Sequence, residues 1–315
     1  MNIDLPMSSD FHGHFQPWPF PLSVTLALVL VALIYLRGWF RLRGWFRLRS
    51  KLPNTIALWR LAAVMSGLSL FWIVVGSPLS ALDHESLTIH MINHLVLMAL
   101  VAPLLLAGAP GPLLLQGLPA RAVRGLHDLL LRNVLAQRLG RLLQNPVFCW
   151  LCATATVIGW HLPAVFQLAM RSRWWHAAEY ASFMLAGLLF WLPVVQPVSS
   201  AREWPRWSIP LYLFVATLPC DILSAFLVFC GRVVYPSYLS SPRLFNLSAL
   251  QDQQCAGALM WVGVTFAYLL PAMVITIQIL SPQGPHSRHP VHVMSHRPAP
   301  PSSSSSSRGS HAEVV

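Results

Sequence analysis

Seven long apolar stretches limit how this chain can fold. They run over about 20–36, 57–76, 87–107, 146–163, 175–195, 208–230 and 252–280. Crossing the hydrocarbon core of a bilayer takes about 20 residues of helix. Lipid offers no partner to a backbone N–H or C=O, so each such segment has to satisfy its own. The expected fold is therefore all-α, a polytopic membrane bundle of seven transmembrane helices. Only 10% of the residues are charged, against about 25% in soluble domains.

The basic residues orient the bundle. With the N-terminus outside and the C-terminus cytoplasmic, 17 of the 21 Lys and Arg lie in cytoplasmic connections, the tail, or at the membrane edge at Arg60. The opposite orientation violates the positive-inside rule. The net charge of +11 is thus a topology signal spread over scattered loops, and no nucleic-acid partner is expected. The first apolar run follows Asp4 and Asp10 and no basic residue, which suits an N-out anchor rather than a cleavable signal. Three parts are expected: an outer N-terminal segment over 1–19, the membrane domain over 20–280, and a disordered cytoplasmic tail over 281–315. The tail is rich in Pro, Ser and His, with a serine run from Ser302 to Ser307.

Between the spans, residues 37–48 repeat Arg-Gly-Trp-Phe-Arg-Leu twice. Interleaved Arg and aromatic residues suit a segment lying on an anionic membrane surface, but the favoured reading is a chance duplication that only strengthens the topology signal. Gly108-Ala109-Pro110-Gly111-Pro112 reads as a helix stop. The stretch 119–144 alternates Leu with Arg121, Arg124, Arg132, Arg138 and Arg141, as an interfacial amphipathic helix would. Cys149 and Cys152 form a CxxC with no following His, so a c-type haem attachment is excluded and packing is the expected role. Cys230 and Cys255 are candidates for a disulfide, with no distance to decide it.

The chemistry concentrates at the start of the third span. His90, His94 and Met98 are four residues apart, on one helical face of a very apolar segment. Imidazole and thioether are copper ligands, and thioether suits Cu(I). The alternative is a pair of hydrogen-bonded core histidines. Outside the tail, seven of the eight histidines fall on or near the outer side: His12, His14, His84, His90, His94, His161 and His176. His161 ends the fourth span and His176 opens the fifth, with Glu179 one turn deeper. Three helices thus offer imidazoles at one depth, with Met91 and Met98 beside them. The candidate metal ligands are His90, His94, His161, His176, Met91 and Met98.

Three acids are candidates for support. Glu179 and Asp252 stand near helix N-termini, where the dipole favours a carboxylate whether or not a site is present. Asp221 lies mid-span after Pro219, where a carboxyl costs roughly 2.5–3.5 kcal/mol and needs a partner, a proton or a polar cavity. No phosphate-cradling Gly loop, nucleophile elbow or HExxH motif occurs, so no hydrolysis or ATP use is expected.

Several segments together resemble one family. They are His90-Met91-Ile92-Asn93-His94 with Ala107-Gly108-Ala109-Pro110, Trp160-His161-Leu162-Pro163, and Trp175-His176-Ala177-Ala178-Glu179 with Leu189-Phe190-Trp191. Leu218-Pro219-Cys220-Asp221, Tyr235-Pro236-Ser237-Tyr238 and Asp252-Gln253-Gln254 complete the set. The chain resembles the seven-span cytochrome c oxidase assembly factors of the CtaG type from Trp18 to about Leu280. The resemblance implies a bacterial plasma-membrane protein that assists maturation of a haem–copper oxidase. Its implied partners are the oxidase subunits and an extracytoplasmic copper donor, and its implied cargo is copper. The family often reads His-x-x-Glu-His in helix five, where this chain has Tyr180 last. Two rival readings remain at this stage: a copper or proton-coupled transporter, which needs polar groups continuing inward, and a haem-binding membrane cytochrome, which wants histidines at two depths.

Overall fold

The computed structural model describes residues 20–46, 57–195, 205–241 and 246–281. The expectations for the N-terminal segment and for the tail beyond Ser281 fall outside these residues. Every regular element among the described residues is helical. The helices are α1 (Leu22–Phe46), α2 (Leu58–Gly76), α3 (Leu87–Ala107), α4 (Pro110–Gly117), α5 (Ala120–Arg132), α6 (Val134–Leu143), α7 (Pro146–His161), α8 (Pro163–Arg171), α9 (Arg173–Val195), α10 (Ser208–Phe229) and α11 (Ala249–Leu280). A short 3₁₀ turn, Pro78–His84, joins α2 to α3.

Six of these, α1, α2, α3, α9, α10 and α11, are long and apolar enough to cross a membrane. The seventh candidate, α7, has 16 residues, about 24 Å of helix. It meets the length and hydropathy requirement only together with α6, from which it turns by 82°. An amphipathic helix nearly perpendicular to its successor fits the interfacial reading of 119–144. That stretch is two helices rather than one: Asn133 interrupts it, and its side-chain oxygen accepts from the N–H groups of Leu135 and Ala136 to start α6.

The first copy of the duplicated segment does not form a separate surface strip. α1 continues through it to Phe46. Trp39 of the first copy is buried beside Tyr35, Val64 and Leu113, and the Arg43 guanidinium lies 4.7 Å from its ring centroid. Burying an indole and covering it with a cation favours continued helix over a surface-lying strip. The second copy runs past the described residues.

Gly108 does end α3, and the next residue, Ala109, takes a left-handed conformation with φ 48° before α4 begins. The carbonyls that α3 leaves open at its end are satisfied from two other helices. Tyr35 donates to the Gly108 oxygen at 3.1 Å, and Arg60 to that of Ala107 at 3.1 Å. Arg60 also places positive charge at a helix C-terminus, where the dipole favours it. α4 then lies back along α1. The contact needs glycine on both sides, because a Cβ on Gly38 would strike the Leu113 carbonyl and one on Gly117 the Ile34 carbonyl.

The helix pair that matters for the site is α3 against α9. It crosses at Gly187, where a Cβ would sit 3.0 Å from the Met98 Cα and 3.0 Å from the Ala102 Cβ. At that point α3 widens into a π-turn, Leu97–Val101, and the Trp191 indole N–H takes up the Met98 carbonyl at 2.9 Å. π-turns insert a residue into the helical register and are frequent at functional sites. Cys149, Cys152, Cys220, Cys230 and Cys255 are all free, so the disulfide considered between Cys230 and Cys255 does not form.

Candidate metal centre

One end of the bundle gathers the starts of α3, α9 and α11, the end of α7, and the 3₁₀ turn. Its placement begins with Asp252. This acid sits in the first turn of α11, but its carboxylate serves α3. It accepts from the Ser86 hydroxyl at 2.9 Å and from the N–H groups of Leu87 at 2.7 Å and Thr88 at 3.2 Å. These are donors that α3 cannot satisfy itself, since Ser86 makes no side-chain cap. An acid at this terminus also meets the positive end of the dipole. The start of α3, and with it His90 and His94, is thereby fixed to α11.

His90 and His94 project toward α9, where Glu179 meets both. His90 Nε2 lies 3.3 Å and His94 Nε2 3.7 Å from Glu179 Oε1. All three residues are buried, and their ligand-type atoms lie within 4.8 Å of one another. Aromatic neighbours hold the rings. Phe183 stacks on His94 with centroids 4.0 Å apart, and Phe166 meets His90 edge-on at 5.1 Å. Yet His90 Nδ1, both ring nitrogens of His94 and Glu179 Oε2 are buried with no hydrogen-bonding partner, and His90 Nε2 has only the Glu179 contact. An unsatisfied buried polar group costs roughly 1–3 kcal/mol. Two imidazoles and a carboxylate converging in this state have the donor set and spacing of a transition-metal site.

A second group lies beside the first. His176, one turn before Glu179 on α9, brings Nε2 to 3.3 Å from Asp83 Oδ2, and His84 Nε2 lies 3.8 Å from Asp83 Oδ1. Asp83 is fully buried, and Tyr180 donates to its Oδ2 at 2.6 Å. Tyr180 in turn accepts from the Asn93 amide at 3.1 Å, so the residue between the two α3 histidines helps to hold Asp83. Burial raises the Asp83 carboxyl, but His176, His90 and the Tyr180 hydroxyl outweigh it and hold the group below the usual carboxylate range. Burial pushes the His84 imidazole below its ordinary value, more than Asp83 raises it.

The residues singled out in the sequence therefore divide. His90 and His94 come together with Glu179, and His176 joins Asp83 and His84. His161 joins neither group. Its Nδ1 contacts the Val157 carbonyl at 2.7 Å, and it shares a small cavity of about 30 Å3 with His94, Met91, Met98, Cys220 and Met260. That volume holds about one or two waters or an ion. Asp221 belongs to neither group. Its neighbour Cys220 faces the cavity, and one residue along a helix turns a side chain by about 100°. Asp221 Oδ1 is buried without a hydrogen bond.

Asp83 escaped the sequence reading, and Asn93 and Tyr180, though they lie in the segments that carry the family resemblance, were not among the candidate site residues. Asp83 sits in a 3₁₀ turn, where no helical spacing points to it. Its adjacency to His84, directly before the His90/His94 helix, is the only signal it leaves in the sequence.

The profile described as "cytochrome c oxidase caa3 assembly factor (Caa3_CtaG)" matches residues 33–281. This chain belongs to that family. The match takes in α3, α7, α9 and α11 and so the whole of the site. An uncharacterized protein of Mycobacterium bovis, Mb0105, is 23% identical over 266 residues, 83% of this chain and 39% of its own length. Its counterpart MT0111 in Mycobacterium tuberculosis gives the same values. ML1998 of Mycobacterium leprae is 21% identical over 286 residues, 89% of this chain and 41% of its own. The chain spans about two fifths of the length of these relatives. No solved structure matches it.

Proposed function

We propose that this caa3-family protein binds copper at His90, His94 and Glu179 and delivers it during maturation of a haem–copper oxidase in a bacterial plasma membrane. The observation that carries the reading is the convergence of two buried imidazoles and a buried carboxylate whose ring nitrogens and oxygens are largely unsatisfied within the protein. Glu179 acts as a ligand here, while Asp252 positions the helix that carries the histidines. Met91, Met98 and Met260 around the adjoining cavity supply thioethers next to His94 and favour Cu(I) on that side. The basic connections orient this end of the bundle outward, toward an extracytoplasmic copper donor and the oxidase subunits. A carrier has to release its cargo, and a three-ligand site with an open position suits exchange better than a closed four-ligand one.

The test is copper content and titration with Cu(I) and Cu2+ of detergent-purified protein, beside His90→Ala/His94→Ala. Copper bound by the wild type and lost in the folded variant, together with loss of oxidase maturation in cells, is expected. Equal copper binding by both proteins, or normal oxidase activity in cells carrying the variant, overturns the reading.

A further inference from the structure

We infer that Asp83, His84 and His176 form a second metal site, which captures a divalent transition-metal cation at the open end of the bundle and feeds it to the buried triad. The inference rests on the reading of that triad as a metal site, and adds a separate site beside it. Three observations carry it.

The first is the donor set. Two imidazoles and one carboxylate, with ligand atoms within 4.8 Å of one another, suit a borderline cation such as Cu2+ better than Mg2+ or Ca2+, which favour all-oxygen sets. Asp83 Oδ1 is buried and makes no hydrogen bond, which leaves it free to ligate.

The second is the gradient of exposure. The His84 side chain is 48% exposed and that of His176 19%, while His90 and Glu179 are at 0% and 1%. An ion from solvent meets His84 first. The rings then form a chain inward: His84 to His176 at 4.8 Å between centroids, His176 to His90 at 5.9 Å, and His90 to His94 at 4.3 Å.

The third is the support. The hydroxyl of Tyr180 fixes Asp83 Oδ2 and is itself fixed by Asn93. Partners of this kind orient ligands, and their loss typically weakens a metal site 10–100-fold. Tyr180 follows Glu179 directly on α9, and Asn93 lies between His90 and His94 on α3. The same two helices therefore set both sites at once.

The experiment loads the full-length purified protein with Cu2+ and follows stoichiometry by equilibrium dialysis and loading by stopped flow and EPR. Tail histidines contribute the same background to every variant, so differences between variants are read. His84→Ala, a change at a half-exposed side chain that leaves the fold intact, is expected to lose one bound Cu2+ and to slow filling of the buried site at least tenfold. Tyr180→Phe is expected to weaken the lost site 10–100-fold without removing the other. Spin–spin broadening between neighbouring Cu2+ ions is expected in the wild type and absent from His84→Ala. Unchanged stoichiometry and loading rate in His84→Ala overturn the proposal. His90→Ala/His94→Ala keeping all its copper, while His84→Ala loses one ion, overturns the buried-site reading instead, and with it the inward transfer.

Discussion

Two close helix contacts in this bundle do different work. Where α1 meets α4, Gly38 and Gly117 let each backbone press on the carbonyl of the other helix, and the surroundings are mostly apolar, with Tyr35, Trp39, Val64 and Leu113 packed together and the Trp39 indole N–H a single buried donor without a partner among them. Where α3 meets α9, Gly187 allows a similar approach. One to two turns along from it stand His90, His94 and Glu179, buried and short of partners. The first contact spends its closeness on packing, which drives helix association where lipid supplies no hydrophobic force. The second uses it to hold polar groups at a spacing that they would not adopt alone. The difference teaches that buried unsatisfied groups in a membrane bundle are tolerated where rigid packing next to them supplies the compensation.

That comparison can be broken in four places. The largest effect is expected from His90→Ala/His94→Ala, which should abolish copper binding at the buried site while the apo protein keeps its helicity by circular dichroism; a collapse in helicity would make the histidines structural. Next comes Gly117→Val, which forces a side chain into the Ile34 carbonyl. Overpacking of this kind costs typically 1–3 kcal/mol, so the thermal midpoint in detergent should fall clearly. The copper affinity of the folded fraction should not change, and a matching loss of affinity would show that the two contacts are coupled. Asp252→Ala removes three hydrogen bonds from the start of α3. A lost cap costs about 0.5–2 kcal/mol, and here a weaker buried site should accompany the lower midpoint because the histidines ride on that helix. The smallest effect is expected from Trp191→Phe, which frees the Met98 carbonyl of the π-turn. One hydrogen bond is worth about 0.5–1.5 kcal/mol, measured as a modest fall in midpoint; no fall would mean that the π-turn is set by Gly187 alone.

Much of the architecture is legible in the residues. Hydropathy locates most of the spans to within a few residues; α1, where Trp39 is buried, runs on through the repeat, and α7 reaches the length of a span only together with α6. Gly108 and the prolines after it mark the end of α3. The clustering of imidazoles at one end follows from where the spans start and stop, because a helix terminus fixes depth. Depth is not direction, however. His161 shares the level of His90 and His94, but joins only His94, at a thioether-lined cavity. His176 shares it too, yet turns to Asp83 rather than to Glu179.

The amino-acid sequence by itself determined that this chain is a helical membrane bundle of the caa3 assembly family with its histidines gathered at one end. The reason is that lipid forces long apolar segments to close their hydrogen bonds internally, whatever their neighbours are. Only the tertiary structure decided which groups meet. Glu179 as a partner of both α3 histidines, Asp83 as the centre of a second group, Asp252 as the cap of a helix far away in sequence, and Asp221 apart from all of them depend on how α3, α9 and α11 rotate and cross. That rotation is set by close packing at a few small residues and by a π-turn, neither of which leaves a periodic trace in the chain.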